Sequence, residues 1–200
     1  MTLEPISKIV TNKTVALLAV ISYNGATILV EGRLVSEGNF TLDIFYRSWK
    51  DYQDTLKQAI APLTREQLAL RAVPDLRSVG EIVVHVISSR VHWFGDFLGE
   101  MSTMPGMESL LTWDRPMPDA PPRTADELVE GLDTSWRFMA DRLNRWDSAD
   151  MQYTFPFDSN GNHYDNSRSW VTWHILEHDL HHGGEISITL GMYGLQAPDV

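Results

Sequence analysis

Residues 173–185 read WHILEHDLHHGGE and hold four of the protein's seven histidines. Three of them, His174, His178 and His182, are spaced four residues apart. In a helix, side chains with this spacing lie on the same face, with Cβ atoms roughly 5–6 Å apart. Two such imidazoles can reach one metal ion from a single rigid surface, as in helical zinc motifs.

An isolated H-x-x-x-H pair is equally typical of a solvated helix face. In this sequence, however, the three histidines lie among apolar residues: Trp170, Trp173, Ile175, Leu176 and Leu180. Burying imidazoles there without partners would cost free energy, and a shared metal would provide the partner. Because a catalytic metal usually takes three protein ligands and keeps one position open, a further ligand must come from elsewhere in the chain.

The composition is that of an ordinary globular domain. The chain has 200 residues, of which 43% are hydrophobic and 22% charged, enough for one domain with a sizeable core. Its net charge of −11 argues against nucleic acid as a partner, since phosphate binding needs clustered Lys and Arg. The absence of cysteine excludes disulfides and thiolate ligands and suits a reducing compartment, so we expect a cytoplasmic location.

Residues 1–40 differ from the rest in being rich in β-branched residues. No apolar run reaches the roughly 18–20 residues of a membrane span, so we expect no membrane insertion. Val15–Ile21 is apolar, but no small-x-small cleavage site follows it, which argues against a secretory signal. Asn24-Gly25 between apolar runs indicates a hairpin. The N-terminal extension is therefore a two-stranded appendage, a poorly ordered segment, or translated sequence upstream of the natural start.

The pattern becomes helical from residue 41 onward. Apolar residues recur at steps of three and four from Leu42 to Ile60, which predicts a first long helix. Ser78 and Thr124 begin two further helices, each with a glutamate three residues later as its capping-box partner.

A fourth helix begins near Ser167 and continues through the histidines. The segments 99–122 and 147–166 have no steady period, and the first is long enough to cap a pocket. Together these elements predict residues 41–200 as one all-α domain, a four-helix bundle with long crossover connections, preceded by the uncertain N-terminal extension.

Metal sites in helical bundles are built from side chains that face inward from adjacent helices. His85 on the second helix can meet His178 and His182 on the fourth, which gives three neutral imidazoles and an open position for water or substrate. Such a set suits zinc, nickel or another divalent first-row metal. His174 is a candidate fourth ligand, substrate-facing group or pocket-lining residue, and His181 is expected in packing or at the surface.

The sequence resembles the DinB-like family of metal-dependent four-helix-bundle proteins. Two segments carry the resemblance, SVGEIVVHV at 78–86 and WHILEHDLHHGGE at 173–185, and it extends in helix order over residues 41–195. Members of this family use one histidine from the second helix and an H-x-x-x-H pair from the last. The resemblance therefore implies three metal ligands in this chain: His85, His178 and His182.

One departure from the family pattern follows the last of these histidines. Many members have Arg-Gly-Gln there, whereas this chain has Gly183-Gly184-Glu185. The change removes a cation beside the site and introduces a carboxylate. The role of that arginine therefore does not carry over, and Glu185 is a candidate for orienting an imidazole.

The resemblance implies a metal-dependent enzyme, since the best-understood relatives are S-transferases that use bacillithiol or mycothiol, with a mycothiol-dependent isomerase in one branch. A metal with an open position lowers the pKa of a bound thiol or water, which produces a nucleophile at neutral pH. We therefore expect transfer of a low-molecular-weight thiol to a small electrophile. The alternatives are a metal-dependent hydrolase and a non-catalytic, metal-stabilised binding protein. A homodimer through a flat apolar face is compatible with each.

Overall fold

The structure is a computed structural model that describes residues 8–11, 14–23, 26–34, 40–101, 106–115 and 121–198. The chain divides into two compact units, Met1–Ser48 and Trp49–Val200. Helix α1, Phe40–Ile60, crosses from the first unit into the second.

The first unit contains an antiparallel three-stranded sheet with the strand order β1-β2-β3: Lys8–Thr11, Thr14–Tyr23 and Ala26–Leu34. Tyr23 lies opposite Ala26, so two residues connect β2 to β3. The predicted hairpin turn, Asn24-Gly25, is that connection and lies outside the described residues. Strand β1 was not anticipated from the sequence.

The second unit is built on four long helices: α1, α3 (Val79–Val91), α5 (Ala125–Leu143) and α6 (Arg168–Met192). Between them lie the shorter α2 (Arg65–Leu68), α4 (Met107–Leu111), a π-helical turn (His92–Phe97) and a 3-10 turn (Asp150–Gln152). The prediction of an all-α bundle is confirmed. Among the described residues, no helix is both long and apolar enough to cross a membrane.

The helices begin where the capping residues predict. Ser78 and Thr124 each accept a hydrogen bond from the backbone N–H three residues later and complete a capping box with the glutamate there. Ser167 accepts from the backbone N–H of Trp170 and starts α6. These contacts satisfy backbone donors that would otherwise lack a partner in the first turn.

The core of the bundle is formed by large apolar side chains from all four long helices, among them Leu56, Ile87, Phe138, Met139 and Ile175, each at most 1% exposed. Full burial of such a side chain contributes about 1.5–3 kcal/mol each. Packing of these faces, rather than helix propensity alone, therefore holds the helices together.

A buried ion pair and an indole hydrogen bond to it join three of the long helices. The guanidinium of Arg90 on α3 donates to the carboxylate of Asp179 on α6, with Nη2 2.7 Å from Oδ2, and both residues are 0% exposed. Trp49 on α1 donates its indole N–H to the same oxygen at 2.8 Å. The Arg90–Asp179 contact fixes α3 and α6 relative to each other. Since these two helices also carry the candidate ligands, it fixes the positions of the ligands as well.

Residues 147–166 were predicted to be irregular, and that prediction was wrong for most of the segment. Strands β4 (Thr154–Ser159) and β5 (Asn162–Ser167) form an antiparallel hairpin. Asn160 and Gly161 make its two-residue turn, both with positive φ, as such hairpins require. The sequence of β5, NHYDNS, is polar and low in β-propensity, so it gave no strand pattern.

Candidate metal centre

The structure brings together the three histidines that the sequence singled out. His85 extends from α3, whereas His178 and His182 lie one turn apart on α6. One ring nitrogen from each residue lies within 4.8 Å of the others. The ring centroids are 4.9 Å apart for His85 and His178, 4.8 Å for His85 and His182, and 4.3 Å for His178 and His182.

Two of the three imidazoles are held by carboxylates. Nδ1 of His85 lies 2.8 Å from Oδ2 of Asp114, and Nδ1 of His182 lies 2.7 Å from Oε2 of Glu185. An ionised carboxylate only accepts hydrogen bonds, so the proton of each neutral ring lies on Nδ1. The Nε2 lone pairs of both rings are consequently available, which is the arrangement of histidines that ligate metals.

The distances fit a first-row divalent metal. Nε2 of His85 and Nε2 of His178 are 3.1 Å apart. Two nitrogen ligands of a tetrahedral zinc, each at roughly 2.0–2.1 Å from the ion, would be about 3.3 Å apart. Nδ1 of His178 is buried and has no hydrogen-bond partner among the described residues, so no protein group fixes its proton. All three rings can therefore present a lone pair to one point.

The local electrostatics favour the neutral form of His178 and His182. Burial, together with the neighbouring His182 and His85, lowers the pKa of His178 to about 3. Burial also lowers the pKa of His182, and Glu185 only partly offsets this effect. Neutral imidazole is the form that binds a metal, because protonation removes the lone pair.

His174 lies one turn before His178 but belongs to a different cluster. Its ring stacks on Trp170 at 4.9 Å and 12°, and its centroid is 6.2 Å from that of His178. Trp93 packs against both His174 and Trp170, at 4.9 and 5.5 Å. Phe97 and Phe157 extend this aromatic cluster, since each packs against Trp93 and against the other. The structure thus places His174 in an aromatic wall beside the candidate centre, outside the group of three converging nitrogens.

A second group shares one residue with the first. His181, His182 and Glu185 also have ligand atoms within 4.8 Å of one another. The side chain of His181 is 66% exposed and its Nε2 lies 3.5 Å from Oε1 of Glu185. In this group the Nδ1 atom of His182 is already bonded to Glu185, so the group with His85 offers the better set of free lone pairs.

Sequence reasoning anticipated Glu185 but missed Asp114 and the buried pair of Arg90 and Asp179. Asp114 lies in the long irregular segment and is separated from His85 by 29 residues, so no local spacing connects the two. Arg90 did give a signal, because it lies four and three residues after Val86 and Ile87 and so shares the apolar face of its helix, where a buried charge needs a partner.

The fold and the site together define a helical bundle with a histidine cluster between its second and last long helices. A sequence profile described as the DinB superfamily matches residues 48–186. The chain therefore belongs to the DinB superfamily, whose members are in general metal-binding, and the resemblance inferred from the sequence is confirmed. No curated protein matches the chain.

Solved structures share the fold. One is the crystal structure of a DinB-like protein from Bacillus cereus, with a TM-score of 0.58 and 20% identity, covering 80% of this chain and 97% of the other. Another is a conserved protein from Enterococcus faecalis, with a TM-score of 0.55 and 12% identity, covering 74% of this chain and 94% of the other. At these identities the likeness establishes the common fold alone.

Proposed function

We propose that the protein is a divalent-metal-dependent enzyme that transfers a low-molecular-weight thiol to a small electrophile. His85, His178 and His182 would hold the metal, with zinc or nickel the best matches to three imidazoles. The observation that carries the proposal is the convergence of three ring nitrogens, two of them on rings whose opposite nitrogen is bound by a carboxylate.

The donor set supports a reactive rather than a purely structural site. Structural zinc is usually enclosed by four protein ligands, whereas three leave one position open. A divalent metal bound there would lower the pKa of a thiol or water in that open position. The surrounding residues orient the site: Asp114 and Glu185 hold their imidazoles by Nδ1, and the aromatic wall at His174 supplies apolar surface for a substrate.

The first test is elemental analysis of the purified protein after incubation with zinc or nickel. We expect about one metal per chain in the wild type and loss of that metal in His85→Ala and His178→Ala. His181→Ala is the matched control, since it removes an exposed histidine of the same helix, and it should retain the metal. Loss of metal in His181→Ala but not in His85→Ala would indicate that the metal binds at the second group, His181, His182 and Glu185. That result would overturn the assignment.

The second test distinguishes the reaction. The metal-loaded protein is assayed with a panel of electrophiles, with and without bacillithiol or mycothiol, and His178→Ala serves as the control. Turnover that needs the thiol supports the proposal. Turnover without any thiol would instead indicate a metal-dependent hydrolase. Saturable metal binding with a raised melting temperature but no turnover would favour a non-catalytic binding protein.

A further inference from the structure

A cleft of about 690 Å³ opens between helix α2, the start of helix α3, the residues that follow helix α4 and those that precede helix α5. Five arginines line this arginine cleft: Arg65, Arg71, Arg77, Arg115 and Arg123. They are five of the chain's 16 basic residues, and the chain as a whole has a net charge of −11. So strong a local reversal of charge needs an explanation.

The two carboxylates that line the arginine cleft are already engaged. Glu81 accepts hydrogen bonds from the backbone N–H of Ser78 and from Nη2 of Arg71, both at 2.7 Å. Asp114 accepts from His85 at 2.8 Å. These two acids therefore compensate only part of the positive charge.

Three of the arginines keep most of their donors available. Among the residues that the structure describes, the Arg65 side chain donates only to the carbonyl of Pro122, at 3.1 Å, and Nη2 of Arg77 lies 4.0 Å from Asp114. Within the described part of the chain, Arg115 makes no ion pair. A guanidinium carries five N–H donors, so these side chains can bind an additional acceptor. Arg123 is less free, because it pairs with Glu127 and stacks on a tryptophan.

The chemistry of this arrangement is specific. Guanidinium groups bind carboxylates and phosphates through paired hydrogen bonds, and cations close to one another repel unless an anion lies between them. We propose that the arginine cleft binds a small molecule that carries at least two negative charges on carboxylate or phosphate groups. A singly charged ligand would leave most of the guanidinium donors without an acceptor.

The arginine cleft adjoins the candidate metal centre through one residue. Asp114 lines the cleft and also holds the ring of His85, with 2.8 Å between Oδ2 and Nδ1. An anionic group bound in the cleft would therefore have this one carboxylate between it and the ring of His85. This part of the inference rests on the proposed function, and it assigns to the arginine cleft the anionic groups of a substrate that reacts at the candidate metal centre.

Binding is tested by isothermal titration calorimetry of the full chain, freed of metal, at low ionic strength. The probes are succinate for carboxylates, inorganic phosphate for phosphates, and acetate as a singly charged control. We expect succinate or phosphate to bind more tightly than acetate, and the double variant Arg77→Ala/Arg115→Ala to weaken that binding about tenfold or more. Arg137→Ala, which removes an exposed arginine of α5 outside the cleft, should change it less than about twofold.

Each outcome decides the inference. Binding of succinate alone, or of phosphate alone, supports it and identifies the anionic group. No binding of either, equal binding by the double variant, or equal loss in Arg137→Ala would overturn it. The same titration in His178→Ala should be unchanged, and loss of binding there would place the anion at the histidines instead. Because the probes carry no thiol and the protein no metal, a negative result leaves the metal proposal to its own test.

Discussion

The Asp114 carboxylate, 2.8 Å from Nδ1 of His85, connects a residue of an irregular segment to a residue of helix α3. It determines which nitrogen of His85 carries the proton and how the ring is oriented. The side chain of Asp114 is 34% exposed, so this contact remains accessible to solvent.

Replacement of Asp114 by asparagine should weaken metal binding about 10–100-fold, because the ring loses the anionic acceptor that makes it a better ligand. Competition with a fluorescent zinc chelator measures the change. Asp126→Asn, at an exposed position on helix α5, is the control and should leave affinity unaltered. Equal affinity in wild type and Asp114→Asn would show that the charge of this carboxylate does not act on the metal through His85.

Adjacent glycines in helix α6 should respond oppositely to alanine. A Cβ at Gly183 would overlap the hydroxyl oxygen of Tyr52 and lie 2.7 Å from Cζ of the same ring, whereas a Cβ at Gly184 would meet no atom within 4 Å. Gly183→Ala should therefore destabilise the protein by at least about 1–3 kcal/mol through overpacking. Gly184→Ala should stabilise it by about 0.5–1 kcal/mol, since glycine is unfavourable inside a helix.

Urea unfolding of the two variants measures these free energies. The order of stability is the decisive result, because both variants add one methyl group to the same helical turn. If Gly183→Ala were as stable as Gly184→Ala, helix α1 would not approach α6 as closely as the structure shows.

Much of the bundle could be predicted from local signals. Ser78 and Thr124 marked helix starts because capping is a property of neighbouring residues. His178 and His182 were found by their spacing, since residues four apart in a helix must share a face. His85 required the family resemblance in addition, because nothing in the sequence fixes which residue of one helix faces another.

The features that were missed depend on tertiary contacts. Asp114 meets His85 only through the course of the intervening chain. The β4–β5 hairpin escaped notice because strand β5 is polar, although Asn160-Gly161 is a strong hairpin turn. The arginine cleft combines residues of several segments, none of which is basic by itself.

Loss of the Asp179 charge should strongly destabilise the fold. Asp179→Asn removes the partner of Arg90, and both side chains are 0% exposed. Breaking a buried pair in this way costs about 3–5 kcal/mol, because the remaining charge stays buried without compensation. The indole N–H of Trp49 would also lose its charged acceptor.

Denaturant unfolding provides the measurement, with Asp158→Asn as the comparison. Asp158 pairs with His163 at 2.7 Å, but its side chain is 84% exposed, so that change should alter the free energy of unfolding little. Similar losses in both variants would show that the buried pair contributes no more than a surface one.

The metal-free protein should lose stability as the pH falls below about 6.5. Burial, together with the neighbouring His182 and His85, lowers the pKa of His178 to about 3 in the folded state. In the unfolded chain the pKa of a histidine is about 6.5. Between these values the unfolded chain binds one more proton than the folded chain at this position. The free energy of unfolding therefore falls with decreasing pH, by up to about 1.4 kcal/mol per pH unit from this residue.

Urea unfolding of the metal-free protein between pH 7.5 and about 5 measures this slope above the range in which most carboxylates titrate. His178→Asn replaces the ring by an amide that does not titrate, so its stability should depend less steeply on pH. His163, whose pKa is raised by Asp158, contributes the opposite sign equally in both proteins and cancels in the comparison. An unchanged slope in His178→Asn would show that this imidazole is not held neutral by its surroundings, and it would remove the electrostatic support for a neutral histidine ligand at this position.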